Sequence, residues 1–214
     1  MSEDIVTNKL TNNDVRVVGV VVSKPMLHHS THGEDFYEFK IEVPRLNKGV
    51  HDTIKIEVSD RVFDVSRLEV DSIVSVVGQF RSFNEYNSEM DRMTLRLFVF
   101  VKDIEILEEA DAFDNEITLR GFICKEVVHR KTPSGREISD VILSVNRLYN
   151  KSDYIPCVVW GRNSKYVANM VVGDEIEIQG RIQSRKYNKS LDDGSIIERE
   201  VYEVSVINVS KVEG

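Results

Sequence analysis

The side chains best suited to chemistry in this 214-residue chain are aromatic and cationic, and they gather in its second half. Tyr154 and Trp160 share one face of an extended strand, opposite Cys157 and Val159. Arg181, Arg185 and Tyr187 share a face opposite Ile176, Ile178 and Ile182. Flat rings beside cations on a β surface suit the stacking of planar bases, with phosphates neutralised alongside. Arg120, Arg147, Lys151, Arg162 and Lys186 are further cations for phosphate, and arginine can also stack.

Other chemistries fit less well. His28-His29 and His32 precede Gly33 with no cysteine or evident carboxylate partner nearby. They read as an exposed loop, and no metal or other cofactor is expected. Cys124 and Cys157 form no CxxC and have no sequence-near histidine to activate them. Both read as small buried or edge residues in a reducing, cytoplasmic protein. No GxxxxGK[ST], HExxH or GxSxG motif occurs, and the carboxylates are scattered, so no enzyme is expected. The acidic opening Met1-Ser2-Glu3-Asp4 does not read as a signal peptide, and no apolar run reaches the roughly 18 residues of a membrane span.

The net charge of −8 is unevenly shared. Residues 1–110 hold 13 Lys and Arg against 20 Asp and Glu, a balance of −7; residues 111–214 hold 15 against 16, a balance of −1. The half with Tyr154, Trp160 and Tyr187 is thus nearly neutral, and local charge placement governs a polyanion more than the total.

The elements that must position these residues repeat. Val70-Asp71-Ser72-Ile73-Val74 through Gly78 and Ser82 aligns with Val172-Gly173-Asp174-Glu175-Ile176 through Gly180 and Ser184, an offset of 102. Gly19 falls on Gly121 and Arg45 on Arg147 by the same offset, and Ile56 on Val158. Val101 to Ile104 matches Val206 to Val209 at 105, so three extra residues fall around Leu191-Asp192-Asp193-Gly194, a hairpin turn. Ile117, Leu119, Gly121 and Ile123 alternate with polar neighbours, as half-buried strands do. About five strands are expected per copy, with a helix-compatible stretch at 163–170 between the third and fourth, and a weaker one at 61–68. That pattern predicts an all-β chain of two tandem OB-fold Greek-key barrels, spanning 1–109 and 110–214.

Read closely, the second copy resembles the bacterial single-stranded DNA-binding protein family. The resemblance rests on Asn115, Leu119 and Gly121, on Thr132-Pro133-Ser134-Gly135, and on Val141 to Arg147. It continues through Cys157-Val158-Val159-Trp160-Gly161-Arg162, Gly173-Asp174, Gly180 to Tyr187, Gly194 and Tyr202-Glu203-Val204. The resemblance implies base stacking on Tyr149, Tyr154, Trp160 and Tyr187, and binding of single-stranded DNA in replication, recombination or repair. It also implies assembly around four barrels, hence a homodimer of this two-barrel chain, and replication or recombination proteins as partners near the nucleoid. The family's acidic tail is not expected here, since the sequence ends at Val212-Glu213-Gly214.

In the first copy, the repeat places Asn47, Asp52 and Val58 at the positions of Tyr149, Tyr154 and Trp160, and Gln79 and Phe83 at those of Arg181 and Arg185. The second barrel is therefore expected to do most of the binding. The first is left to packing, pairing, or weaker contact through Arg81, Phe83 and Tyr86. The competing readings are a protein-interaction module that kept the barrels, a binder of single-stranded RNA, and a nuclease on the same scaffold.

Overall fold

The computed structural model describes residues 12–45, 49–87, 91–190 and 196–213. Asn47 and the turn at 191–194 lie outside the described residues. In the first half the strands are β1 (Asn13–Val21), β2 (Met26–Thr31), β3 (Glu34–Pro44), β4 (His51–Ser59), β5 (Ile73–Asn87) and β6 (Arg92–Leu107). In the second half they are β7 (Asn115–Ile123), β8 (Val128–Lys131), β9 (Glu137–Asn146), β10 (Ser152–Trp160), β11 (Glu175–Ser190) and β12 (Ile196–Lys211).

Pairing defines the architecture. In the first half β1 pairs with β3, β3 with β4, β4 in parallel with β6, β6 with β5, and β5 with β1. The circuit closes, and its parallel joint between the third and fifth main strands is that of an OB barrel. β7, β9, β10, β12 and β11 close the same circuit in the second half. β2 and β8 are additions to the five strands expected; each is the outer arm of a first hairpin and is exposed along its whole length. With no buried face, neither carries the alternation that marks a strand in sequence.

The alternating apolar residues fill the barrels. Val15, Val17 and Val21 of β1 and Ile54, Ile56 and Val58 of β4 are buried, as are Ile117, Leu119 and Ile123 of β7. Both long hairpins bulge where the barrel wall bends, between Val77 and Gly78 and between Gln179 and Gly180. At these two glycines a Cβ would press into the carbonyl oxygens of Phe100 and Ser205 respectively, so only glycine admits the close approach.

A short helix, α1 (Gly161–Val167), follows β10 and buries Ser164 and Val167. It begins and ends earlier than the 163–170 stretch read from the sequence. In the first half the stretch 61–68 holds only a 3-10 turn, Val65–Arg67. There the Asp64 side chain accepts the Ser66 amide, capping a new turn in the middle of the stretch and breaking any longer helix.

The halves join edge to edge. β1 and β7 pair antiparallel, Val15 opposite Ile117, which makes one continuous sheet of twelve strands. Register also revises the internal alignment. Val43 faces Asp52 in the first half and Val145 faces Asp153 in the second. Asp52 therefore corresponds to Asp153, not Tyr154, because the β3–β4 connection is one residue longer than the β9–β10 connection. Thr53 then stands for Tyr154, Ser59 for Trp160 and Ile56 for Cys157. A one-residue slip matters because it exchanges the two faces of a strand.

Candidate nucleic-acid interface

On an OB barrel the ligand surface is the outer face of the second and third strands, with the loops between strands one and two and between four and five. In the second half those strands are β9 and β10. Asp153, Ile155, Cys157 and Val159 of β10 point inward, leaving Tyr154 and Trp160 on the outer side. Tyr154 is 48% exposed. Trp160 is half-buried, its indole Nε1 donating to Ser205 Oγ at 3.2 Å, which ties the ring edge to β12. Gly161 follows with a φ of +59°, the left-handed turn that swings the chain from β10 into α1. Trp160 forms one wall of an open recess of about 490 Å³, with Lys131 and Arg136 from the β8–β9 hairpin opposite.

The second arm is the β11–β12 hairpin. Arg185 lies over the Tyr187 ring at 5.9 Å from its centroid, a cation–π contact. Both line a groove of about 610 Å³ shared with Lys55, Arg92 and Met93 of the first half. Lys186 sits on the same arm and pairs with Glu198 at 3.1 Å, in the open.

Tyr149 is placed apart from the other aromatics. It occupies the β9–β10 connection at a φ of +61° and is 91% exposed. With Arg147 and Lys151 it lines a cavity of about 380 Å³ whose other walls include Arg81 and Lys102 of the first half. The four aromatics therefore do not share one pocket.

Several of the expected cations have intramolecular partners. Arg181 reaches the buried Asp52 of the first half, which also takes Arg45 and the Ser184 amide. Arg147 meets the buried Asp153 at 3.4 Å. Arg120 holds Glu175 through a two-pronged contact at 2.9 and 3.2 Å. Arg162 is exposed on the first turn of α1, and Lys151 is exposed beside Tyr149. Sequence reasoning missed Lys131 and Arg136, although they bracket the quoted Thr132-Pro133-Ser134-Gly135 turn. It also missed Lys102, which only the junction brings beside Tyr149, and gave Arg81 only a weak role within the first copy.

The model of the single-strand binding protein family matches residues 114–212. Over its second barrel the chain is similar to that family. Similar relatives are the single-stranded DNA-binding protein of Clostridium tetani, 38% identical over 80 residues, and single-stranded DNA-binding protein A of Bacillus subtilis, 34% identical over 80. Each match covers 34% of this chain, and 55% and 46% of the relatives' own lengths. The chain thus spans about half of each of these relatives. Among solved structures, wild-type single-stranded DNA binding protein from Thermus aquaticus is similar at a TM-score of 0.73 and 16% identity, covering 94% of this chain and 93% of that one. This likeness extends the shared fold over both barrels.

Beside the half that matches the family model, the first barrel has a different outer face. The positions of Tyr154 and Trp160 hold Thr53 and Ser59, neither able to stack a base. Glu38 of β3 and Glu57 of β4 lie there, bridged by Arg96 at 2.7 Å to each. Burial raises the Glu38 carboxyl, but Arg96 and Lys55, with a smaller pull from His28, outweigh it and leave its pKa below the usual carboxylate value. Phe83 and Tyr86 are each 60% exposed on the long hairpin, whereas Arg81 turns toward Asp153. His28 and His29 lie on edge strand β2 rather than in a loop, and Glu57 supplies the carboxylate neighbour that the sequence did not reveal. His32 occupies the following turn. Burial pushes the thiols of Cys124 and Cys157 up, away from reactivity.

Proposed function

We propose that the chain binds single-stranded DNA with little sequence preference and that its second barrel makes most of the contacts. The observation that carries this reading is the outward Tyr154 and Trp160 pair on β10, with Lys131 and Arg136 on one neighbouring hairpin and Arg185 and Lys186 on the other, on the half that matches the family model. Bases stack on Tyr154, Trp160, Tyr187 and Tyr149, at about 1–3 kcal/mol each. Phosphates meet Arg185, Lys186, Lys131, Arg136, Arg162 and Lys151, with Arg120, Arg147 and Arg181 holding the framework through their carboxylate partners. The role is that of a binding protein rather than an enzyme, in replication, recombination or repair, in the cytoplasm on the nucleoid. Two copies of the chain would supply four barrels, and light scattering at twice the chain mass is the expected result.

Fluorescence anisotropy of labelled oligo-dT at low and moderate salt tests the reading. Tight, salt-sensitive binding that duplex DNA does not displace supports it, and an oligo-rU competitor separates DNA from RNA preference. No binding at micromolar protein would overturn it in favour of a protein-interaction module, a reading supported by the outer face of the first barrel, where Thr53 and Ser59 stand in place of the stacking aromatics.

A further inference from the structure

We propose that His28, His29 and Glu57 form a binding site for a divalent first-row transition metal ion, with zinc, cobalt and nickel as the fitting class. Consecutive residues of a strand normally point to opposite faces. Here the pairing of β2 with β3 slips between Leu27 and His29, and the extra residue lets the two imidazoles converge. Their Nδ1 atoms are 2.9 Å apart. Glu57 Oε2 of β4 lies 3.6 Å from His28 Nδ1, and one donor atom from each of the three residues falls within 4.8 Å of the others. Two imidazoles and one carboxylate suit borderline-soft ions and leave an open coordination position, whereas calcium and magnesium ask for oxygen alone.

Two of the three ligands are held from behind. The His29 ring stacks on Phe36, 4.6 Å between centroids and 4° between planes. Glu57 is buried and accepts from Arg96 at 2.7 Å, while Glu38 takes the same guanidinium at 2.7 and 3.1 Å. Such outer partners orient ligands before the ion arrives. Because Arg96 shares the Glu57 charge, the site is weaker than a closed structural zinc centre. Its position gives it a structural consequence. Among the described residues β2 is hydrogen-bonded in the sheet to β3 alone, and an ion shared by β2 and β4 fastens that edge strand across its neighbour.

The test uses the full chain with cobalt(II) as a visible-absorbing probe and zinc as competitor. Expected are saturable binding of one cobalt per chain, displacement by zinc, and a melting temperature that rises with zinc. His28→Ala and His29→Ala each weaken binding at least about tenfold, while His32→Ala and His129→Ala, at exposed positions away from the cluster, do not. Both ligand histidines are exposed, so their loss leaves the core intact. Glu57→Gln is a third variant expected to weaken binding. Absence of saturable binding, or unchanged binding in the His28→Ala/His29→Ala double variant, overturns the proposal.

Discussion

Arg181 of the second barrel is ion-paired with Asp52 of the first, a carboxylate only 1% exposed. The junction repeats the arrangement with its members exchanged. Asp153 accepts the Ser82 amide at 2.8 Å as Asp52 accepts the Ser184 amide at 3.0 Å. The Thr53 and Tyr154 amides each donate to the opposing serine hydroxyl at 2.8 Å. The two versions differ in tightness, since Arg81 approaches Asp153 only to 4.0 Å. Burial raises the Asp153 carboxyl pKa against the pull of the Ser82 amide, Arg147 and Arg81.

Asp52→Ala strands two arginines and a backbone amide, and is expected to cost about 3–5 kcal/mol of folding stability. Asp153→Ala should cost less, about 1–3 kcal/mol, because its arginine contacts are longer and its charge is already disfavoured. Urea unfolding of both variants measures the difference; equal losses would contradict the asymmetry.

Trp160 is the sole tryptophan, so its emission reports the second barrel alone. Oligo-dT is expected to quench it, and Trp160→Ala to weaken binding by about 1–3 kcal/mol. Tyr149→Ala is expected to lose a similar amount with no change in melting temperature, since that ring packs on little. Full affinity in either variant removes that residue from the interface.

Lys131→Ala and Arg136→Ala probe the arm facing Trp160. Each should lower the slope of log affinity against log salt by about 0.7 on single strands. Arg120→Ala, whose guanidinium is occupied by Glu175, should leave the slope nearly unchanged.

The Glu38 carboxyl gives a pH prediction. Its folded pKa lies below the unfolded value, so the ion pair with Arg96 adds stability above about pH 4.3 and loses it as pH falls through the folded value. Glu38→Gln should therefore be less stable than wild type at neutral pH and converge with it in acid. A constant gap across the titration would exclude this linkage.

Gly180→Ala forces a methyl group against the Ser205 carbonyl at the bulge. A loss of about 1–3 kcal/mol is expected in thermal or urea unfolding.

The barrels were readable because inward apolar residues recur at alternate positions along strands such as β1, β4, β7 and β11. The face assignments of Tyr154 and Trp160 followed from the same alternation, and the burial of Cys157 and Val159 agrees with it. What could not be read was set by distant pairing. Asp52 lies 129 residues from Arg181, and nothing local marks it as that arginine's partner. The one-residue difference in the β3–β4 connection moved Thr53 and Ser59 into positions first given to Asp52 and Val58. Glu57 approaches His28 across an intervening strand, so the histidines looked unpartnered in the sequence.

The pairing of β1 with β7 has a consequence for dilution. Seven residues, 108–114, connect β6 to β7. A tether that short holds its ends within about 25 Å and sustains a local concentration of about millimolar. Barrels on separate chains would part when protein becomes scarce. Here the edge-to-edge joint, with Asp52 and Asp153 sealed inside it, keeps the same occupancy at one molecule per cell as at thousands.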